Sequence, residues 1–137
     1  MNLVISISLC NEAELRGWHH IGIETSCLAR TITFYTQLID FHTSEQIDLD
    51  DESLTFLTRG SLQLELVLPK QETEVSSGHV HFAWKVNNLT AWVEWLKEHN
   101  VFPVDGPYRV RRLQGVMYKG PNNETIELIC SQQEHGQ

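Results

Sequence analysis

The sequence predicts an α+β fold built from two βαβββ modules. Three observations lead to this prediction: a repeat within the chain, strand and helix patterns in the same order in both copies, and a composition typical of a globular domain. Residues 20–28 align with residues 81–89 at an offset of 61 positions, and both segments begin with histidine. At the same offset one amphipathic helical pattern falls on another, and Phe41 falls on Phe102.

The repeat divides the chain into two halves of one domain. A polar stretch without hydrophobic periodicity separates the two copies and is typical of a linker. We therefore predict a single domain over residues 1–137, with module one at about 17–69, a linker at 70–78 and module two at about 79–131.

Composition limits what this domain does. The 137 residues carry a formal net charge of -8, with 41% hydrophobic and 20% charged residues. A chain this acidic has no basic surface for a phosphate backbone or an anionic membrane, so we expect neither nucleic acid nor membrane as a partner. The three cysteines, Cys10, Cys27 and Cys130, are widely spaced, which favours free thiols and a cytoplasmic protein.

Module one begins with a strand in which His20 alternates with apolar residues. Ser26 is a typical residue for the N-terminal cap of a helix, and apolar residues at helical spacing follow it from Leu28 to Ile39. Three runs with strand character then complete the module, at residues 41–49, 53–58 and 62–68.

Module two repeats this order. Its first strand contains His81, Asn87 or Asn88 caps the helix, and the helix carries apolar residues from Leu89 to Leu96. The predicted strands that follow are at residues 101–104, 113–119 and 125–130.

Each module offers one histidine and one glutamate that could bind a metal ion. The leucines and isoleucines next to Glu65 and Glu127 lie on one face of their strands. Because side chains alternate along a strand, both carboxylates point to the other face. These glutamates are 62 positions apart, close to the 61 that relate His20 to His81. A pseudo-twofold pairing of the modules would bring the four side chains together. Two imidazoles and two carboxylates can bind a divalent ion such as Zn, Ni, Co, Mn or Fe and leave positions open for substrate.

The same residues also have a purely structural explanation. A histidine on a strand is more often structural than a metal ligand, and a glutamate in an apolar strand can face water at a sheet edge. The internal symmetry that relates all four residues favours the metal site.

Three segments of the chain resemble the vicinal oxygen chelate superfamily. They are HIGI at 20–23 with Phe34 and Tyr35 two turns later, HFAWKV at 81–86, and GPNNETIEL at 120–128. Members of this superfamily include glyoxalase I, methylmalonyl-CoA epimerase, extradiol dioxygenases, fosfomycin resistance proteins and bleomycin-binding proteins. The resemblance covers about residues 17–131 and implies two modules that form a curved, partly open mixed sheet around a central cleft.

The resemblance implies that His20, Glu65, His81 and Glu127 fill all four ligand positions for one divalent metal ion per site. Two histidines and two glutamates are the pattern of glyoxalase I. Methylmalonyl-CoA epimerases usually carry glutamine at the position of Glu65, and extradiol dioxygenases and fosfomycin enzymes use three protein ligands. The pattern favours a lyase or isomerase that transfers a proton next to a metal-chelated oxygen, with Glu127 as the catalytic base and Glu65 as the second catalytic carboxylate.

The expected substrate contacts depart from those of glutathione-dependent glyoxalase I. That enzyme typically has arginine at the position of Glu24 and asparagine at the position of Pro69, so the resemblance implies a substrate other than a glutathione adduct. The usual Asp-Pro-Asp-Gly turn before the last strand is Gly-Pro-Asn-Asn here, which should keep the turn. We expect a small-molecule substrate to contact Glu24, Lys85, Arg109, Arg111 and Tyr118.

Two other functions stay open at this point. One is a metal-free protein that binds a small molecule, like bleomycin-resistance proteins, and the other is an extradiol-type dioxygenase. We also expect a homodimer, in which the cleft forms either within one chain or between two. In the second arrangement His20 and Glu65 of one subunit would meet His81 and Glu127 of the other.

Overall fold

The computed structural model of the chain describes residues 16–71 and 80–131. Both modules have the order strand, helix and three strands. In module one the elements are β1 (Ile21–Glu24), α1 (Leu28–Thr33), β2 (His42–Asp48), β3 (Glu52–Arg59) and β4 (Leu62–Pro69). In module two they are β5 (His81–Lys85), α2 (Leu89–Glu98), β6 (Asp105–Val110), β7 (Leu113–Lys119) and β8 (Thr125–Ser131).

Each module folds into its own four-stranded sheet. The strand orders are β1-β4-β3-β2 and β5-β8-β7-β6. The first and last strands of each module are parallel, and all the other pairs are antiparallel. This confirms the predicted α+β fold with two modules and open, mixed sheets. Among the described strands, hydrogen-bonded pairing stays within a module, so each module contributes its own sheet.

The boundaries of the domain and its modules stay predictions. Most of the expected linker, 70–78, falls in the segment between the two described parts of the chain. Within those parts, no helix is both long and apolar enough to span a bilayer.

Local hydrogen bonds fix where the helices begin. The side chain of Asn88, one of the two residues predicted to cap α2, accepts a hydrogen bond of 3.1 Å from the amide of Ala91. The cap of α1 is Cys27, so the prediction of Ser26 is wrong by one residue. Thr25 explains the shift, because its side-chain oxygen accepts a 3.0 Å hydrogen bond from the Cys27 amide.

The second strand of module two lies later in the chain than predicted. Residues 101–104 are not a strand, since the amide of Val101 turns back to donate to the carbonyl of Leu96 at the end of α2. The strand that pairs with β7 is β6. It is the edge strand of its sheet, where Pro107 is tolerated because an edge residue can do without its amide hydrogen.

One hydrophobic core joins the two modules. It includes Leu64 and Leu66 from β4 together with Ile126 and Leu128 from β8, all of them buried. These residues alternate with the site glutamates along their strands. Each sheet therefore turns one face to the shared core and the other face, with its glutamate, away from it.

A buried carboxylate also links the modules. The hydroxyl of Tyr35, in the π-helical turn Phe34–Leu38 that continues α1, donates a 2.6 Å hydrogen bond to Oε2 of Glu124. The amide of Asn122 donates to Oε1 of the same residue at 2.7 Å. Only 1% of Glu124 is exposed. Burial, together with the neighbouring carboxylate, raises the pKa of Tyr35 above its ordinary value.

This link predicts a loss of stability at alkaline pH. Burial raises the pKa of Tyr118 as well. The folded state keeps the proton of Tyr35 at pH values where the unfolded chain loses it, near pH 10 and above. The contribution of Tyr35 is constant below that pH, and above it Tyr35 should lower the free energy of unfolding by about 1.4 kcal/mol per pH unit. Urea unfolding between pH 9 and 11 should show a shallower decline for Tyr35→Phe than for the wild type, and equal slopes would contradict this assignment.

Candidate functional site

His20 and Glu65 form a pair at the parallel strands β1 and β4. Gly22 lies opposite Glu65 in the register, and His20 precedes Gly22 by two residues. The side chains of His20 and Glu65 therefore point to the same face of the sheet. Nε2 of His20 is 3.5 Å from Oε1 of Glu65. The two side chains are 33% and 18% exposed, which leaves the pair open to a ligand from solvent.

His81 and Glu127 form the same pair in module two. Ala83 lies opposite Glu127 in the register of β5 and β8, and His81 again stands two residues earlier. The distance from Nε2 to Oε1 is 3.1 Å. The register of the first and last strands thus repeats the arrangement in both halves of the chain.

Each pair has the spacing of two neighbouring ligands on one metal ion. Imidazole nitrogens and carboxylate oxygens bind borderline ions at about 2.1 Å, so neighbouring donors lie about 3.0 to 3.4 Å apart. The 3.1 Å between His81 and Glu127 falls within this range, and the 3.5 Å between His20 and Glu65 lies just above it. In the described parts of the chain, however, no three metal-binding side chains come together. One chain therefore presents two pairs of candidate ligands.

The two histidines share a cavity, whereas the two glutamates are not among its lining residues. This cavity has a volume of about 470 Å³ and lies between the start of β1 and the start of β5. Its walls are largely aromatic or polar and include Trp18, His19, His20, Gln63, His81 and Trp84.

Two of the predicted substrate residues lie on the faces that carry the metal ligands. Glu24 follows His20 by four residues and Lys85 follows His81 by four, so each shares a face with the histidine of its module. Both are exposed, and no ion pair joins them in the described structure. Lys85 lines a second cavity, of about 430 Å³, with Leu113, Ile129 and Ser131.

The other three predicted substrate residues lie elsewhere. Arg109 is exposed on edge strand β6. Its neighbour Tyr108 pairs with Gly115 and therefore lies on the face of the sheet that carries Glu127. Because side chains alternate along a strand, Arg109 points to the opposite face. Arg111 is exposed in the turn between β6 and β7. Tyr118 is only 1% exposed and belongs to the core, which corrects the expectation that it contacts substrate.

Sequence reasoning missed two residues beside His20. Nδ1 of His19 is 2.9 Å from Nδ1 of His20, and the side-chain nitrogen of Gln63 is 3.4 Å from the same His19 atom. Two signals were present in the sequence. His19 directly precedes the candidate ligand, and Gln63 precedes Glu65 by two residues on the same face of β4.

A further cavity, of about 430 Å³, lies between the modules and contains none of the predicted site residues. The indole nitrogen of Trp95 donates a 2.9 Å hydrogen bond to the carbonyl of Leu38 there. The guanidinium of Arg59 lies over the ring of Trp92 at 5.9 Å. These contacts give the aromatic walls a role in joining the modules.

Proteins of similar sequence include two metallothiol transferases. FosB from Staphylococcus haemolyticus (strain JCSC1435) is 25% identical over 119 residues, which cover 83% of each chain. FosB from Staphylococcus epidermidis is 25% identical over 119 residues, with the same coverage.

Solved structures share the fold at lower identity. The antibiotic-binding protein TnmS3 from Streptomyces sp. CB03234 has a TM-score of 0.72 at 16% identity, over 88% of this chain and 99% of TnmS3. A glyoxalase family protein from Enterococcus faecalis has a TM-score of 0.70 at 20% identity, over 83% of this chain and 97% of that protein.

The family itself follows from a match over most of the chain. The model of the Glyoxalase/Bleomycin resistance protein/Dioxygenase superfamily matches residues 17–128, from just before His20 to just after Glu127. This range spans both His–Glu pairs. The chain belongs to the Glyoxalase/Bleomycin resistance protein/Dioxygenase superfamily.

Proposed function

We propose that this protein is a divalent-metal-dependent lyase or isomerase of the glyoxalase type, which transfers a proton at a carbon next to a substrate oxygen. The observation that carries the proposal is the His–Glu pair built twice, with donor spacings of 3.5 Å and 3.1 Å. The ion would be Ni, Zn, Co, Mn or Fe, all of which accept mixed nitrogen and oxygen ligands. The name of the similar FosB proteins, metallothiol transferase, supports metal-dependent chemistry in this family.

The two glutamates would divide the proton transfer. A bound divalent ion would stabilise the negative charge that develops on the substrate oxygen. Glu127 takes the proton from the neighbouring carbon and Glu65 returns it, or the reverse. Both carboxylates are partly shielded from water, at 12% and 18% exposed, which suits groups that must exchange protons with a substrate.

The charges near the site argue against glutathione. The exposed carboxylate of Glu24 shares a face with His20 and would repel the carboxylates of that tripeptide. Lys85 holds the equivalent position in module two and lines an apolar cavity. A small substrate with a negative group for Lys85 and an apolar body fits these surroundings better.

We propose a homodimer in which two chains build each metal site. The glutamates lie on the sheet faces that point away from the shared core, and one chain offers two pairs of ligands. Those faces also carry partly exposed apolar side chains, Phe56 beside Glu65 and Met117 beside Glu127. A second copy would cover these side chains. It would also bring the His20–Glu65 pair of one chain to the His81–Glu127 pair of the other.

We further propose that the protein works in the cytoplasm on a small molecule, with neither nucleic acid nor membrane as a partner. The net charge of -8 supports the absence of a polyanionic partner. Cys27, in the described part of the chain, is an exposed free thiol, as is usual in a reducing compartment.

Metal analysis tests the proposal directly. Protein purified without chelator or affinity metal should contain about one divalent ion per chain by elemental analysis. The double variant His20→Ala, Glu127→Ala should lose it, since each removed ligand belongs to a different pair. A matched control, His42→Ala with Glu94→Ala, removes one exposed histidine and one exposed glutamate away from the site and should retain the metal.

A wild-type protein that stays metal-free after incubation with these ions would contradict the proposal. The cavity shared by His20 and His81 would then be a pocket for a small molecule, as in the antibiotic-binding protein of the same fold. The identity of a bound ion would also separate lyase from dioxygenase chemistry, because Fe favours the dioxygenase.

A further inference from the structure

His20 makes a second contact, on the side of its ring that faces away from Glu65. Its Nδ1 lies 2.9 Å from Nδ1 of His19, and the two rings meet edge to face. Two neutral ring nitrogens form a hydrogen bond only if one of them carries a proton and the other does not. The surroundings of His19 decide which one does.

Gln63 identifies the acceptor. Its side-chain nitrogen is 3.4 Å from Nδ1 of His19 and 3.5 Å from the backbone carbonyl oxygen of the same residue. A carbonyl oxygen only accepts hydrogen bonds, so the amide group turns its NH2 to this side. A proton on Nδ1 of His19 would point at this NH2, so Nδ1 of His19 carries a lone pair instead. That lone pair accepts the short bond from Nδ1–H of His20 and is shared with the longer contact from Gln63. The lone pair of His20 is then on Nε2, which faces Glu65.

The consequence is an arrangement that suits a cation. Nε2 of His20 and the carboxylate of Glu65 both present lone pairs, 3.5 Å apart, and a divalent ion can accept electron pairs from both atoms at once. His81 and Glu127 differ from this pair. At 3.1 Å their contact is a hydrogen bond in which Nε2–H of His81 donates to the carboxylate.

The repeat explains why module two lacks the arrangement. Val80 stands where the repeat places His19, and Thr125 stands where it places Gln63. Valine offers no side-chain hydrogen bond to the neighbouring imidazole. The hydroxyl of Thr125 instead accepts a 2.9 Å hydrogen bond from Lys119.

We propose that His19 and Gln63 are positioning residues that hold His20 in the Nδ1–H tautomer. In module one, Nε2 of His20 is then already unprotonated and available to a metal ion before the ion binds. This inference rests on the proposed metal-dependent function. A metal-binding histidine generally donates its other ring N–H to a partner, and loss of such a partner weakens metal binding by about 10- to 100-fold. His19 would be that partner for His20.

Ring nitrogen NMR of the metal-free protein tests the tautomer without any metal. Proton–nitrogen correlations of the wild type, recorded at alkaline pH, should show the His20 proton on Nδ1. Gln63→Glu replaces the donor with an acceptor, which draws a proton onto Nδ1 of His19. His20 should then change to the Nε2–H tautomer, while His81 keeps the pattern of the wild type.

Cobalt binding tests the consequence for the metal. His19→Ala should weaken Co²⁺ binding by about tenfold or more, whereas the matched variant His42→Ala should bind as the wild type does. The inference would be overturned if wild-type His20 carried its proton on Nε2, or if the Gln63→Glu substitution left the His20 tautomer unchanged. If the tautomer changes as expected but the wild type binds no cobalt, the positioning role stands and the proposed metal function falls.

Discussion

Two variants that each lack one pair of ligands should recover metal binding when they are mixed. The first, His20→Ala with Glu65→Ala, keeps the pair of module two, and the second, His81→Ala with Glu127→Ala, keeps the pair of module one. Alone, each retains two ligands per site and should bind metal orders of magnitude more weakly than the wild type. In a heterodimer of the two, the intact pairs of both chains meet at one site.

The expected recovery is quantitative. Random pairing after the chains are unfolded together and refolded makes half of the dimers heterodimers, each with one complete site, or about one ion for every four chains. Equilibrium dialysis against Zn²⁺ or Co²⁺ measures this, with refolded wild type at about one ion per chain as the reference. A mixture that binds no more metal than its two components would show that each site forms within a single chain.

Gly120→Ala should be among the most destabilising single substitutions in this protein. A Cβ atom at Gly120 would lie 2.6 Å and 2.7 Å from the two carboxylate oxygens of Glu124. That carboxylate cannot withdraw without losing its hydrogen bonds from Tyr35 and Asn122. We expect a loss of about 3 kcal/mol in the free energy of unfolding, measured by urea denaturation at neutral pH.

A double-mutant cycle identifies the cause. Glu124→Ala alone should also cost about 3 kcal/mol, because it leaves the buried Tyr35 hydroxyl and the partly buried Asn122 amide without their acceptor. In the Glu124→Ala background, the Cβ atom added by Gly120→Ala no longer meets the carboxylate. The second substitution should then lower the free energy of unfolding by less than about 0.5 kcal/mol. Additive costs would contradict the steric explanation. Glu94→Ala, which removes an exposed glutamate from α2, should change stability by no more than about 0.5 kcal/mol.

Local alternation was enough to orient the candidate metal ligands. In β4 the buried leucines 64 and 66 flank Glu65, and in β8 Ile126 and Leu128 flank Glu127, as the sequence predicted. Strand periodicity depends only on neighbouring residues, so one sequence suffices to detect it. The repeat then placed both glutamates at equivalent positions of the fold.

The failures concern features set by contacts between distant residues. The segment of β6 contains Gly106 and Pro107, which are typical of a turn, and becomes a strand only through its pairing with β7. Met117 and Tyr118 are both compatible with a cleft, and their orientation is decided by the register in which Met117 lies opposite Glu127. These pairings leave no periodic signal in the sequence.

Glu124 was missed for the same reason. The sequence shows one acidic residue near a turn, and its burial depends on Tyr35, which lies 89 positions earlier. The turn itself was predicted to survive the replacement of its usual first aspartate by Gly120. The structure adds that the carboxylate of Glu124 lies directly against this glycine.

The bond between Tyr35 and Glu124 bears on how such a chain can evolve. Leu96 stands 61 positions after Tyr35, and Leu62 stands 62 positions before Glu124, so the equivalent positions of the other halves carry no polar side chains. A gene that joined two first halves would leave the Tyr35 hydroxyl without its acceptor. One that joined two second halves would leave Glu124 with its hydrogen bond from Asn122 but without the one from Tyr35. The two halves are no longer interchangeable copies. Recombination among relatives preserves the fold only where both members of this bond are inherited together.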